Sequence, residues 1–210
     1  CATGLILSIM TPIKIAQRNV GTGYPCYIIA EVGSNFDGDL KRAKHLALLA
    51  KEAGADAFKI QNFLADKIVS ASGFKNLQVA HQASWDKPVV EIYRNAEFPR
   101  EWLQPLSDYC REIGINFFSA PYDTEAVDAL ERINVLAYKL GSGEIDNLEF
   151  IEYVAKKGKP IFIAAGSATM EEAGRAVQMI RSAGNDQIVL MQCVTNYPSP
   201  IGDANIRAIQ

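Results

Sequence analysis

The sequence predicts an α/β fold on a parallel β-sheet, because short apolar runs alternate with amphipathic helical patterns from residue 27 onward. The runs have the length of strands and are mostly continuous, which is typical of strands buried on both faces. Repeated βα units of this kind form either an open, doubly wound sheet or a closed barrel. The predicted strands are residues 27–31, 57–61, 116–120, 137–140, 161–165 and 188–192.

Two segments precede this repeat. Residues 1–9 are apolar, lack a basic leader and are too short for a secretory signal, so we expect an upstream extension with Met10 as the natural initiator. A lipidated Cys1 is the alternative interpretation. Residues 10–26 are expected to form a hairpin, with its turn at Asn19-Val20-Gly21.

The helices are predicted from apolar stripes and capping residues. The first has the clearest stripe, with Asp39 placed to cap its N-terminus and Gly54 placed to end it. A later helix begins at Thr169, which has capping-box spacing to Glu172. Further helices are expected near residues 105–113, with Pro105 in the first turn, and near 124–132 and 148–157, and a sixth only begins near Ala204.

The spacing of the units has two irregularities. Residues 62–99 form an unusually long connection after the second strand, and long connections in compact domains tend to be functional or partly disordered. A complete (β/α)8 barrel typically needs about 250 residues. The chain has 210 residues, so it ends roughly two βα units short of such a barrel.

Composition excludes several classes of protein. Apolar residues make up 49% of the chain and the net charge is −3, which is ordinary for a globular domain and argues against a nucleic-acid partner. No apolar run approaches the roughly 20 residues of a membrane span, so no membrane partner is expected. The four cysteines form no metal motif or disulfide framework, which indicates free thiols in a reducing, cytoplasmic compartment.

Polar residues collect where the predicted strands end, and the carboxyl ends of parallel strands form the active face of α/β folds. Alternation places Lys59 and Gln61 on the same side of the second strand. Two lysines at strand ends, Lys59 and Lys139, would make a small cationic pocket for a phosphate and a carboxylate. The other polar residues at strand ends are Glu31, Ser119, Ser142, Glu144, Ser167, Gln192, Thr195, Asn196 and Tyr197.

Each of these features also has a purely structural interpretation. A lysine at a strand end is often solvated or held in an ion pair, and Glu31 could be a satisfied structural carboxylate. The Gly141-Ser142-Gly143 stretch could be only a turn, and Cys193 is expected to be a small packing residue. Neither His45 nor His81 lies near a strand end, so we expect no metal site in this chain.

Four ordered blocks of residues resemble the sialic acid synthase family, which makes N-acetylneuraminate, its 9-phosphate, legionaminate and pseudaminate. The resemblance covers the chain from about Ile13 to its end. It implies a (β/α)8 barrel truncated to about its first six βα units, with residues 27–210 as the partial catalytic barrel. The blocks are IIAEVGSN with DGD at residues 28–39, AGADAFKIQ at 53–61, YKLGSGE at 138–144 and QCVTNYPSP at 192–200.

The resemblance also implies a reaction, in which phosphoenolpyruvate condenses with an N-acetylmannosamine-like amino sugar and phosphate is released. By matched position, Glu31 and Glu144 are the candidate catalytic residues. Glu31 would contact the sugar, and Glu144 would transfer a proton or orient water. The residues expected to bind phosphoenolpyruvate are Lys59, Lys139, Ser142, Ser119 and Thr195, and those expected to bind the sugar are Gln61, Asn196 and Tyr197.

The chain departs from the family pattern in residues and in length. Ala164-Ala165-Gly166-Ser167 stands where the family commonly has Ser-Thr-Gly-Met, and Ala120 stands where a threonine is common. The family's Mn²⁺ or Mg²⁺ is held by two histidines on strands seven and eight, beyond this chain. We therefore expect the fragment alone to be inactive, and the full-length protein to be a metal-dependent homodimer with a C-terminal antifreeze-like domain.

Two other functions remain open from the residues alone. A Schiff-base aldolase could use Lys59 or Lys139 as its amine nucleophile on a pyruvate-type substrate. A non-catalytic binding protein derived from the barrel is the other alternative.

Overall fold

The computed structural model describes residues 11–70, 72–73 and 85–209. A six-stranded parallel sheet forms the centre, and a two-stranded antiparallel hairpin precedes it. All six predicted strands are confirmed, with bounds that shift by at most two residues. The hairpin is β1 (Ile13–Ile15) and β2 (Arg18–Val20), and the sheet is β3 (Ile29–Gly33), β4 (Ala57–Asn62), β5 (Asn116–Pro121), β6 (Tyr138–Leu140), β7 (Ile161–Ala164) and β8 (Ile188–Met191).

The strands lie side by side in chain order, from β3 to β8. A doubly wound sheet reverses its order at a switch point, and no reversal occurs here, so the doubly wound alternative is wrong. Within the described residues β3 and β8 each pair on one side only, so the sheet is not closed into a barrel. Side chains paired across parallel strands share a face, and this register decides which residues reach the site.

Helices cover the outer face of the sheet, and their caps agree with the predictions. The Asp39 side chain accepts a hydrogen bond from the Lys41 N–H at 2.8 Å, and Gly54 follows the helix with φ of +85°. Thr169 and Glu172 form the predicted capping box. The helices are α1 (Leu40–Glu52), α2 (Ala65–Ile68), α3 (Val89–Asn95), α4 (Leu103–Glu112), α5 (Thr124–Arg132), α6 (Leu148–Ala155) and α7 (Met170–Ser182).

The apolar core has two parts, one on each face of the sheet. The larger part lies between the sheet and the helices and includes Ile60 and Tyr138. The smaller part packs Ile15 of the hairpin against residues of β4, β5 and β7, with Phe118 and Phe162 in tilted contact at 5.7 Å. The hairpin therefore covers the inner face near the amino ends of the strands, and the opposite end stays available for a site.

Several predictions need correction. The hairpin is confirmed, but Asn19 and Val20 lie in β2, and Ala16 and Gln17 connect the strands. A sixth helix does not form near Ala204, where two short 3-10 turns occur instead. The long connection contains α2 and α3.

Some sequence predictions lie outside the described residues. They are those for residues 1–9, for Met10 as the initiator and for His81. Among the residues that the structure describes, no helix is both long enough and apolar enough to cross a membrane.

Candidate active site

A cavity of about 620 Å³ opens at the carboxyl ends of the strands. Its wall is built from residues near the carboxyl ends of β3, β4, β5 and β6 and from the segments that follow β3, β4, β5, β6 and β8. This is the end of the sheet at which parallel α/β folds place their active sites. Predicted site residues on the wall are Glu31, Lys59, Gln61, Lys139, Ser142, Glu144, Thr195 and Tyr197.

Lys59 reaches the cavity because strand alternation turns it away from Ile60, which packs under the helices. Lys59 is only 5% exposed to solvent. Burial, together with the smaller effect of the nearby Lys139, lowers the pKa of Lys59 to about 7. Glu31, directly opposite on β3, forms an ion pair with the amine. The carboxylate is 44% exposed in that pair, so much of its charge remains solvated.

Lys139 extends from β6 into the same cavity, so the expectation that both lysines face one space is confirmed. Burial lowers the pKa of Lys139, whereas Cys193 and Glu144 act in the opposite direction. Two partly desolvated amines next to each other repel, and a bound anion would relieve that repulsion. The arrangement therefore suits a small, multiply charged anion.

Glu144 lies in a 3-10 turn, Ser142–Glu144, which follows β6. Its Oε2 atom is buried and accepts no hydrogen bond. Burial raises the pKa of Glu144, while Lys139 opposes the rise. A Cβ at Gly141 would lie 2.6 Å from Oε2, so glycine is needed there for the carboxyl to keep this position. A buried carboxyl with one oxygen free of hydrogen bonds and a raised pKa is suited to hold or transfer a proton.

The Ser142 hydroxyl lies where three loops meet. It accepts a hydrogen bond from the Gly166 N–H at 3.2 Å and lies 2.9 Å from Cys193 Sγ. The Ser167 hydroxyl donates to the Ser142 carbonyl at 2.7 Å. Cys193 therefore lines the cavity beside Ser142, which the prediction of a small packing residue did not include.

Two predicted ligands do not reach the cavity. Ser119 is fully buried and is paired with Ile60 and Tyr138, which both face the helices, so it points away from Lys59. Its position therefore does not support the predicted contact with phosphoenolpyruvate. Asn196 does not line the cavity, although its two neighbours do, so its position does not support the predicted contact with the sugar.

One side of the cavity is an aromatic wall that was not predicted from the sequence. It consists of Phe63, Tyr93 and Tyr122. The Phe63 ring lies 5.7 Å from that of Tyr93 and 6.0 Å from that of Tyr122. Burial raises the pKa of Tyr122, and Glu144 adds to the rise. The alternation of side chains along β5 could have predicted that Tyr122 faces the cavity. Ala120 and Tyr122 lie on the same face as Phe118, and Phe118 is paired with Lys59. Tyr93 carries no such signal, since it lies in the long connection.

A metal site in the described part of the chain would need several converging ligands. Within residues 11–70, 72–73 and 85–209, no three His, Cys, Asp or Glu side chains converge in a group that could hold a metal ion. The divalent cation that the family resemblance implied therefore stays a prediction.

Known proteins with similar sequences match most of this chain. Spore coat polysaccharide biosynthesis protein SpsE of Bacillus subtilis is 36% identical over 200 residues, which are 95% of this chain and 53% of that protein. N-acetylneuraminate-9-phosphate synthase of Mus musculus is 35% identical over 192 residues, 91% of this chain and 53% of the relative. The chain thus spans about half the length of these curated relatives.

A solved structure shows the same fold. The crystal structure of N-acetylneuraminic acid synthetase from Leptospira borgpetersenii, in complex with citrate, matches with a TM-score of 0.83 and 28% identity. The match covers 96% of this chain and 65% of that one. The NeuB family profile matches residues 46–210. With a parallel sheet in chain order and a cavity at its carboxyl ends, the chain belongs to the NeuB family.

Proposed function

We propose that the full-length protein condenses phosphoenolpyruvate with an N-acetylmannosamine-like amino sugar to give a nonulosonic acid and phosphate. C3 of phosphoenolpyruvate attacks the aldehyde carbon of the open-chain sugar, and water adds at C2. The C–O bond to the phosphate then breaks, so phosphate leaves with the bridging oxygen. One phosphoenolpyruvate, one sugar and one water thus give one keto acid and one phosphate.

The observation that carries this proposal is the pair of amines, Lys59 and Lys139, on one cavity wall. Phosphoenolpyruvate bears a carboxylate and a phosphate on three carbons, and two desolvated ammonium groups can neutralise both. Preorganised charges of this kind stabilise a transition state in which negative charge moves. The names of the relatives, which include sialic acid synthases, support the same reaction class.

The remaining residues receive roles by position. Ser142 would donate its proton to an oxygen of phosphoenolpyruvate, because its own acceptor site is occupied by the Gly166 N–H. Gln61 and Tyr197 would orient the sugar, with Glu31 beside them. The buried Glu144 carboxyl would exchange a proton with the reacting oxygens or orient the water. Orientation of two substrates supplies a large part of such a rate enhancement.

The proposal also includes a divalent metal ion and the assembly of two subunits into a homodimer. A divalent cation bound to the full-length protein would polarise a carbonyl oxygen, and the described residues offer no group of three metal-binding side chains to hold it. Homodimer formation, a cytoplasmic location and inactivity of the fragment alone stay predictions.

The test uses the full-length protein, phosphoenolpyruvate labelled with ¹⁸O at the bridging position, and a panel of N-acylated amino sugars. We expect sugar-dependent release of phosphate that carries the label, together with a nonulosonic acid detected by mass spectrometry. Unlabelled phosphate, or release without sugar, would contradict the proposal. The Lys59→Met variant serves as the negative control.

A Schiff-base aldolase is the second candidate, because the Lys59 amine, with a pKa of about 7, is of the kind that attacks carbonyl groups. Borohydride with a pyruvate-type substrate would then leave a covalent adduct on the protein. We expect no adduct at Lys59 or Lys139 by peptide mass spectrometry. Trapping at either residue would favour the aldolase.

A further inference from the structure

We propose that Arg100 is a positioning residue that fixes the aromatic wall of the cavity and thereby sets the affinity for the sugar. Arg100 lies outside the cavity wall, in the 3-10 turn (Arg100–Trp102) that follows the long connection. Its guanidinium joins the ends of two neighbouring strands. For its kinetic consequence this inference rests on the proposed function.

The contacts of Arg100 are directional and sheltered from water. Its Nε donates to Asn62 Oδ1 at 3.1 Å, and its Nη2 donates to Asp123 Oδ2 at 2.5 Å. Asn62 is the last residue of β4 and has no exposed surface, and Asp123 is 8% exposed. A planar guanidinium can hold two such acceptors in fixed directions, which a lysine cannot do.

Both acceptors are next in sequence to residues of the aromatic wall. Phe63 follows Asn62, and Tyr122 precedes Asp123. The two rings meet edge to face, with 6.0 Å between their centres. Arg100 therefore fixes the backbone on both sides of this aromatic contact.

The hydrogen bond between Arg100 and Asn62 also holds together the two ends of the long connection, here called its base. Asn62 begins the connection and Arg100 directly follows its end, so their hydrogen bond joins the two ends. Further in, Glu97 accepts from the Ala65 N–H at 2.6 Å, and Arg94 pairs with Asp66 at 2.6 Å. The connection carries Tyr93 to the cavity, so its base determines where this ring lies.

Loss of Arg100 would leave Asn62 without a partner for its side chain. The Nδ2 atom of Asn62 is already buried without a hydrogen bond, and Arg100 is the partner of its oxygen. Asp123 would keep its cap on α5, where it accepts from the Ala126 N–H at 2.8 Å, and a distant Lys67 at 3.8 Å. A buried amide without partners is unfavourable, so we expect the base of the connection to shift. The lysines on β4 and β6 make no contact with this network and should stay in place.

The experiment compares Arg100→Met, Arg100→Lys and the control Arg111→Met in the full-length protein. Arg111 also pairs with an aspartate, Asp108 at 2.7 Å, but it lies on the exposed surface of α4. We expect Arg100→Met to raise the KM for the sugar by about 10- to 100-fold, as misplacement of a binding wall by about 1 Å can do. The KM for phosphoenolpyruvate should hardly change. Arg100→Lys should be intermediate, and Arg111→Met should behave as wild type.

Equal increases in both KM values, or an unchanged KM for the sugar, would overturn the positioning role. Amide hydrogen exchange gives a second readout that needs no turnover. Arg100→Met should speed exchange in residues 62–70 and 85–99 while the exchange of β6 and β7 stays slow. Unchanged exchange in the connection would overturn the inference, whereas absence of synthase activity in the wild-type protein would overturn only the proposed function. If Arg100→Met does not fold, Arg100→Lys and Asp123→Asn decide the question, because asparagine keeps the helix cap.

Discussion

The cavity and the helices that cover the outer face of the sheet, here called the shell, contain the same types of ionisable residue. Their pKa values are shifted in opposite directions in the two regions. In the cavity, burial lowers the pKa values of Lys59 and Lys139 and raises that of Glu144. In the shell, hydrogen bonds from Lys157 and Tyr153 lower the pKa of Asp128. The cavity therefore disfavours the charged forms of its ionisable groups, whereas the shell favours the charged form of Asp128.

For the two glutamates Glu144 and Glu131, hydrogen-bond partners explain the difference. Glu131, on the outer face, receives hydrogen bonds from Lys159 at 2.7 Å and from Tyr138 at 2.5 Å. Burial alone would raise the pKa of Glu131, but these hydrogen bonds lower it overall. Glu144 Oε2 has no such donor. Charges that are satisfied within the fold stabilise it, and charges left unsatisfied can act on a ligand.

The largest effect is expected when one lysine is replaced in each region, Lys59 in the cavity and Lys159 in the shell. Lys59→Met should lower the synthase activity of the full-length protein at least about 100-fold, since it removes a preorganised charge. Thermal stability should not fall, because a buried amine with a lowered pKa is unfavourable for the fold. Activity and melting temperature are measured on the same samples.

The matched control, Lys159→Met, should show the reverse pattern. It should keep activity while the free energy of unfolding falls by about 1 kcal/mol, the scale of a partly exposed ion pair. The contrast fails if Lys59→Met destabilises the protein more than Lys159→Met does.

A second test probes the packing around the cavity. A Cβ at Gly166 would lie 2.5 Å from Cys193 Sγ and 2.6 Å from the Cys193 carbonyl oxygen. Gly166→Ala should therefore destabilise the protein by about 1–3 kcal/mol, as overpacking does, and should displace the Ser142 loop. Urea unfolding measures the first effect. Full stability in this variant would mean that the loops have more room than the distances indicate.

The pH dependence of activity is the third test. The Lys59 amine, with a pKa of about 7 in the free protein, is charged below that pH and neutral above it. We expect kcat/KM for phosphoenolpyruvate to fall about tenfold per pH unit above pH 7, since this quantity reports the free enzyme. Lys59→Arg should move the decline to higher pH.

Stability should respond to the same titration with the opposite trend. Between the folded pKa of about 7 and the ordinary, higher lysine pKa of the unfolded chain, the unfolded state binds more protons. The free energy of unfolding should therefore rise with pH across this window. A stability curve that is identical in Lys59→Met and wild type across that window would contradict the assignment.

A smaller effect is expected in the shell. Tyr138→Phe removes the hydrogen bond to Glu131 and should lower the free energy of unfolding by about 1 kcal/mol. Activity at saturating substrate should stay at the wild-type level, because Tyr138 faces the helices and not the cavity. A strong loss of activity would show that the two faces of the sheet are coupled.

The smallest effect concerns a second glycine. Gly174 lies in the middle of α7, and a Cβ there would meet nothing within 4 Å. Gly174→Ala should stabilise the protein by about 0.5–1 kcal/mol through helix propensity, in contrast to Gly166→Ala. Destabilisation by Gly174→Ala would indicate that another surface packs on this helix in the full-length protein.

The sequence by itself determined the strands, the helix caps and the lysine pair, because each rests on local spacing. Continuous apolar runs, the Asp39 cap and the alternation of Lys59 with Ile60 follow from the neighbouring residues alone. The outward direction of Ser119 depended on the register between β4 and β5, although the parity of the strand already held that information.

Only the tertiary structure decided how the cavity is completed. The long connection brings Phe63 and Tyr93 beside Tyr122, and Cys193 meets Ser142 across 51 residues of chain. The guanidinium of Arg100 spans two strand ends in the same way. Such contacts depend on strand register and loop packing, which no local pattern encodes.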